Sequence, residues 1–330
     1  MLVMDCTLRD GANVLGKGFD ARLTKMMIEG MIAAGITTIE MGNCLGLGAY
    51  ETDNSIAPCT DVEYLELIQP YLPQAEIGMF MGYKNATQAN VDLAAKYGLK
   101  FLRIGANAGD GAGACDGIRR VKAAGMKCRY SFMKGYILSP AELAEEARML
   151  AACGLDEVTI MDSAGTMMPN QVREYVQALT GALDIPVAFH GHNNLGLSVA
   201  NALAAAEGGA TVFDSGLLGM ARSAGNCATE LLVAAFQRNG QMEDIDLYKL
   251  LDFLDSQLIP AMEEHGYHTA VKPYDLILGL AGCHSSFTKR FQDIAKECGV
   301  PLYPLVVKTS ELDRKAPSEE LIRQVAARLT

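Results

Sequence analysis

Ile185-Pro-Val-Ala-Phe-His-Gly-His-Asn-Asn-Leu-Gly196 opens as an apolar strand and turns polar at its end. It then runs into an Ala-rich segment over 195–208 that reads as a helix. This is one strand–loop–helix unit, and outward from it the same unit recurs along the chain. Strand-like apolar runs fall at 2–6, 36–40, 75–80, 100–105, 127–132, 156–161, 185–190 and 210–214. Helical segments fall between them near 20–34, 60–71, 86–98, 113–125, 139–153, 169–182, 195–208 and 224–238. Ser139-Pro140 supplies an N-cap and an N1 proline, and Gly35, Gly98, Gly125 and Gly154 stand where helices should stop. Eight such units without a long interruption predict a (β/α)8 TIM barrel over 1–240. The Gly-rich run 105–113 is neither G-x-G-x-x-G nor a P-loop, and reads as a long loop. After about residue 240 the alternation stops. Helices are expected at 244–264, 275–280, 286–298 and 318–329, so 241–330 reads as an all-helical extension.

Successive strand residues face opposite ways, so His190 and His192 project together from a strand end. They read either as a satisfied polar pair or as ligands of a divalent ion. The first strand likewise ends in Thr7-Leu-Arg-Asp-Gly11. Arg9 and Asp10 read alone as an ion pair; beside the histidines, Asp10 completes a two-His, one-carboxylate site with open positions. Arg9 offers a planar fork suited to a carboxylate or a 2-oxo acid. A barrel collects its strand ends on one face. Arg9, Asp10, Glu40, Arg103, Asp162, Ser163, His190, His192, Asp214 and Ser215 therefore share one mouth, and that convergence favours the metal. Arg103 and Asp162 also fit a purely structural ion-pair role.

The chain has 28 Lys and Arg against 39 Asp and Glu, a net charge of −11, which argues against nucleic acid. No apolar run approaches a membrane helix, and no leader-like segment opens the chain, so no membrane and a cytoplasmic setting are expected. Nine cysteines without CxxC spacing fit reduced thiols.

Thr7-Leu-Arg-Asp-Gly11, Glu40, His190-Gly-His192 and Asn226 in Gly219-Met-Ala-Arg-Ser-Ala-Gly-Asn226 together resemble the DRE-TIM metallolyase superfamily. Within it, His192–Asn201, Leu217–Met220, Thr60–Tyr64 and Leu278-Gly-Leu-Ala-Gly-Cys-His-Ser-Ser-Phe287 are similar to the 4-hydroxy-2-oxovalerate aldolases, class II pyruvate aldolases. The resemblance implies Mn²⁺, or else Mg²⁺, Co²⁺ or Zn²⁺, on Asp10, His190 and His192, with Asn226 near enough to be a further ligand. It implies that Arg9 holds the enolate oxygen of pyruvate and that Glu40 orients Arg9. Ser163 would bind substrate, and Met79 and Met81 would shape the aldehyde pocket. Substrates would be a small 2-oxo acid and an aldehyde. The tail would contact an acylating aldehyde dehydrogenase or a second copy of the chain.

Two positions depart from that pattern. The aldolases carry a basic histidine where this chain has Asn13, and a carboxamide cannot take a proton near neutral pH. They carry a tyrosine where this chain has His284, which the sequence offers as a relocated base. The same exchange leaves open an acyl-CoA-dependent lyase or Claisen-type condensing enzyme, or a catalytically impaired barrel kept as a binding subunit.

Overall fold

The computed structural model describes residues 1–52, 55–267 and 273–329. Eight strands alternate with eight helices. The strands are β1 (Leu2–Asp5), β2 (Thr38–Met41), β3 (Glu76–Gly82), β4 (Phe101–Asn107), β5 (Lys127–Met133), β6 (Glu157–Asp162), β7 (Val187–Gly191) and β8 (Val212–Ser215). The helices are α1 (Ala21–Ala33), α2 (Asp61–Leu67), α3 (Gln88–Lys96), α4 (Cys115–Ala123), α5 (Pro140–Ala151), α6 (Pro169–Thr180), α7 (Ser198–Glu207) and α8 (Thr229–Gln237). Each strand pairs in parallel with its neighbours in chain order, and β8 returns to β1 with Val212 opposite Leu2 and Ser215 opposite Asp5, closing the barrel.

Local chemistry accounts for the helix starts. Ser139 accepts from the Glu142 amide while Glu142 accepts from the Ser139 amide, a reciprocal cap with Pro140 at the first helical position. Thr60 and Glu63 do the same for α2. One short element was not expected: an antiparallel pairing of Glu51 with Ile56 and Thr52 with Ser55 after β2.

The barrel interior is polar at both ends. Near its floor Arg129 pairs with Glu157 at 2.8 Å and Glu76 at 2.9 Å, and near its mouth Arg103 is wholly buried among carboxylates. Met4, Cys6, Phe101, Ala188 and Val212 form a small apolar layer of their own. The large core lies outside the barrel, between sheet and helices.

Beyond the barrel lie α9 (Leu247–Phe253), a π-helical turn over Leu254–Leu258, α10 (Ile259–Glu263), α11 (Pro273–Ala281), α12 (Thr288–Cys298), α13 (Leu302–Leu312) and α14 (Glu319–Ala326). The division expected at residue 240 falls later in the packing. Leu250, Phe253, Leu254, Leu258 and Met262 belong to the barrel's core, and the Asp246 amide donates to the Ala34 carbonyl. A second core, around Leu278, Phe291, Ile294, Leu305, Val306 and Ile322, belongs to α11–α14. That unit stands against the C-terminal face of the barrel: the Tyr136 hydroxyl donates to the Gly282 carbonyl at 3.2 Å, and Lys134 donates to the Lys315 carbonyl at 2.6 Å. No helix among the described residues is long and apolar enough to cross a membrane.

Candidate metal centre and barrel mouth

Asp10, His190 and His192 each offer one ligand atom, all lying within 4.8 Å of one another, and all three residues are buried. His190 Nε2 lies 3.5 Å and His192 Nε2 3.7 Å from the same carboxylate oxygen of Asp10. The period of two in β7 brings both imidazoles to the inner face. Burial alone would raise the Asp10 carboxyl, yet Arg9 and the two histidines hold it well below the usual carboxylate range. Burial presses His192 down to about 4, leaving it a neutral donor at pH 7. Asn226 Nδ2 donates to Asp10 at 2.9 Å, while Asn226 Oδ1 and His192 Nδ1 are buried with no protein partner. An anionic oxygen, a neutral imidazole and an unspent amide oxygen around one point form a donor set that fits a divalent ion.

A second cluster, Cys6, His190 and Asp214, meets the same distance criterion. It is already spent. Asp214 accepts from Arg103 at 2.5 Å and bonds His190 Nδ1 at 3.0 Å, and burial keeps the Cys6 thiol protonated. Asp214 thereby fixes the His190 tautomer and turns Nε2 toward Asp10, the usual service of a carboxylate behind a metal-binding imidazole.

Behind the site runs a continuous ionic chain. Arg9 Nε donates to Glu40 at 2.6 Å; Arg103 donates to the other Glu40 oxygen at 2.5 Å and reaches Asp214. Burial opposes ionisation of Glu40, but Arg103 and Arg9 more than compensate and lower its pKa. Glu40 therefore stays charged and holds the Arg9 guanidinium. Arg9 Nη1 meets Asp10 at 3.2 Å, its guanidinium lies over Phe80 at 5.0 Å, and Nη2 is buried with no partner. Arg103 is the structural ion-pair member the sequence allowed. Asp162 is a loop organiser: it accepts the Thr166 and Met167 amides at 3.0 and 2.9 Å.

The mouth is lined by Arg9, Asp10, His190, His192, Ser163 and His284, with Leu45, Phe80, Met133 and Met161 as its apolar wall and Cys44 and Arg222 at its side. Met79 and Met81 do not line it. Both are fully buried in the layer between sheet and helices, whereas Phe80, the residue between them, faces inward. Glu40 is paired with Gly78, and Arg103 with Phe80, so the even positions of β3 point into the barrel. That parity was available from the sequence.

Asn13 and His284 occupy their expected region with altered roles. Asn13 Nδ2 donates to the Asp10 carbonyl at 2.8 Å, and Asn13 Oδ1 accepts from Arg222 Nε at 2.7 Å. His284 Nδ1 accepts from the Ser286 amide at 3.2 Å and lies 2.9 Å from the Ser286 hydroxyl. Burial, with His192 and Arg222 nearby, pushes the His284 ring down to about 3. A neutral ring whose Nδ1 accepts carries its proton on Nε2. The base expected at position 284 is thus a hydrogen-bond donor in this geometry. Ser163 Oγ accepts from the Lys134 amide at 2.9 Å. Of the residues the sequence did not single out, Phe80 and Arg222 matter most; Arg222 sat unremarked inside the motif that ends at Asn226.

The chain matches the HMGL-like family over residues 1–256. It is 34% identical over 327 residues to "4-hydroxy-2-oxovalerate aldolase 2" of Rhodococcus jostii, covering 99% of this chain and 94% of that one. It is 32% identical to "4-hydroxy-2-oxovalerate aldolase" of Carboxydothermus hydrogenoformans, covering 99% and 97%. Among solved structures, the carboxyl transferase domain of Rhizobium etli pyruvate carboxylase superposes with a TM-score of 0.79 at 15% identity, covering 100% of this chain and 61% of that one. At that identity the likeness speaks to the barrel and its helical extension alone.

Proposed function

This chain belongs to the HMGL-like family, and from that premise we propose that it is a metal-dependent carbon–carbon lyase of the class II pyruvate aldolase type. It cleaves or forms the C3–C4 bond of a 4-hydroxy-2-oxo acid through a pyruvate enolate. One observation carries the reading: a buried Asp10–His190–His192 donor set beside an Arg9 whose Nη2 has no protein partner. Full-length relatives named as 4-hydroxy-2-oxovalerate aldolases support it.

Asp10, His190 and His192 would hold the ion, Mn²⁺ by preference, with Asn226 Oδ1 available as a further ligand. When bound, it supplies Lewis-acid polarisation of the 2-oxo group. Arg9 donates Nη2–H to the oxygen that becomes the enolate oxygen, where a preset charge costs no reorganisation. Glu40, Arg103 and Asp214 are positioning residues; they fix the Arg9 fork and the His190 tautomer. Ser163 binds the substrate's polar end. His284 Nε2–H holds, by a hydrogen bond, the oxygen that alternates between 4-hydroxyl and aldehyde carbonyl; in cleavage the 4-hydroxyl proton passes to solvent water at the open mouth, and in addition the new alkoxide takes its proton back from there. Asn13 moves no proton. Phe80, Met133 and Met161 keep water from the nascent carbanion. The helical tail associates with a second copy of the chain or with an aldehyde dehydrogenase that takes up the aldehyde. Nine free thiols fit a cytoplasmic setting.

The test is deuterium exchange at the pyruvate methyl group, followed by NMR with and without Mn²⁺. Metal-dependent exchange is expected, together with pyruvate release from a 4-hydroxy-2-oxo acid without any acyl-CoA. No exchange with Mn²⁺, Mg²⁺, Co²⁺ or Zn²⁺ overturns the reading.

A further inference from the structure

The mouth holds two guanidiniums of different standing. Arg9 has two carboxylates, Glu40 and Asp10. Arg222 has none within ion-pair distance among the described residues; its Nε is held by the neutral oxygen of Asn13 at 2.7 Å, and its other charge neighbours are His192, His284 and the Cys44 thiol. Arg222 nonetheless lines the same mouth as Arg9 and the histidine pair. A half-buried cation without a counter-charge is costly unless a ligand supplies one.

The loop that carries Arg222 is built to hold it there. Gly225 has φ +86°, and a Cβ at that position would stand 2.1 Å from the Gly219 carbonyl oxygen, so only glycine closes the turn. The Gly225 amide donates to the Arg222 carbonyl at 3.0 Å. Ser223, next to Arg222, also has positive φ at 59°, an uncommon state for a residue with a side chain and one that gathers at ligand sites. The anchor is equally specific: Asn13 spends its amide group on Asp10 and its oxygen on Arg222, tying the guanidinium to the strand end that carries the metal-site carboxylate.

Resting on the aldolase reading above, we propose that Arg222, positioned by Asn13, recognises a carboxylate on the aldehyde half of the substrate. The preferred compounds are then 4-hydroxy-2-oxo diacids, and the product beside pyruvate is an aldehyde that ends in a carboxylate. Arg9 and the Asp10–His site take the 2-oxo acid end. The planar fork of Arg222, with both Nη groups free of any carboxylate among the described residues, suits the far end. The apolar wall of Phe80, Met133 and Met161 carries the methylenes between.

The experiment compares aldol addition of pyruvate to succinic semialdehyde and to butanal, of equal carbon count, and to glycolaldehyde phosphate, all with Mn²⁺. The readout is the ratio of kcat/KM values for the charged and neutral aldehydes. As a ratio within one protein sample, it is unaffected by the fraction that folds. Wild type is expected to favour succinic semialdehyde, and Arg222→Met to lower the ratio about 10- to 100-fold, the usual worth of a hydrogen bond to a charged group. Arg222→Lys should restore part of it, and Asn13→Ala should lower it by loosening the anchor. A wild-type preference for the phosphate with succinic semialdehyde treated like butanal overturns the carboxylate assignment. An equal ratio in wild type and Arg222→Met overturns the role of Arg222 while pyruvate exchange leaves the aldolase reading standing. Absence of pyruvate exchange in wild type overturns both.

Discussion

In the proposed reaction the chemistry turns on Arg9, because Glu40 and Asp10 fix its fork while Nη2 stays unspent. A lysine at this place has one compact ammonium and cannot both meet Glu40 and serve the enolate oxygen. Arg9→Lys is expected to lose about 10²–10³ in turnover, as when an oxyanion donor is removed, with bound metal retained. Steady-state rates and metal analysis on the same sample check it; near-wild-type turnover would reduce Arg9 to an ion-pair member. His190→Ala and His192→Ala are expected to purify without stoichiometric metal, and full metal content in either variant removes that residue from the ligand set. Both imidazoles, Asp10 and Arg9 were legible because ionic residues at the end of apolar strands demand a partner. The jobs of Asn13 and His284 were not legible, since they depend on Arg222 and Ser286 approaching them across loops. Asp5 carries a pH signature of its own. Burial raises its carboxyl to about 6 against 3.8 in the open chain, despite hydrogen bonds from Thr7 and Thr229. Between those values the folded state binds more protons than the unfolded one, so stability falls as pH rises from about 4 to about 6 and is level above. Asp5→Asn removes that slope. Denaturant unfolding at pH 4.5 and 7 should show the variant gaining about 2 kcal/mol on wild type across the interval.

Whole elements were read more securely than the direction of single side chains. All eight barrel strands lie where apolar runs flanked by capping residues put them, with ends differing by one or two residues. The placing of Met79 and Met81 in the aldehyde pocket failed on parity: β3 turns Phe80 inward and packs both methionines against the helices. The two faces should therefore answer differently. Met79→Ala empties a wholly buried site and is expected to cost about 2–5 kcal/mol of stability while the order of aldehyde preference stays fixed. Phe80→Ala removes a wall of the mouth and the ring over Arg9, and is expected to shift preference toward bulkier aldehydes. Thermal unfolding and a series of neutral aldehydes of rising length check both; a changed preference order in Met79→Ala would reverse the parity assignment. In the tail, α13 lies where no helix was expected, and its start carries two prolines, Pro301 and Pro304. Pro304 sits in the first helical turn, where its missing N–H has no partner to lose. The expected helix over 244–264 is interrupted by a π-helical turn at Leu254–Leu258, which no periodicity announces.

At the scale of the whole molecule, the second core of α11–α14 explains how Arg9 and His284, 275 positions apart in sequence, meet at one mouth. It stands on the barrel face through Tyr136 with Gly282 and Lys134 with Lys315, and so carries His284 to the mouth. α9, by contrast, packs inward on the barrel core and shows an apolar outer face. Tyr248 is 84% exposed and Leu251 40% exposed, three residues apart and so on one side of the helix, with Leu231 of α8 also exposed at 58%. Tyr248 and Leu251 together make a more continuous exposed apolar strip than single exposed leucines do, and such strips mark association faces more often. The association with a second copy of the chain proposed above would use this face, since a twofold interface sets the same residues against each other. Light scattering is expected to give a dimer for wild type and a monomer for the double variant Tyr248→Glu/Leu251→Glu. Both substitutions lie on the outer side of α9, so circular dichroism should remain that of the folded barrel. A monomeric wild type, or a double variant that stays dimeric, would move association away from α9, and the aldehyde dehydrogenase would then be sought against the exposed Tyr303 and Leu312 of α13.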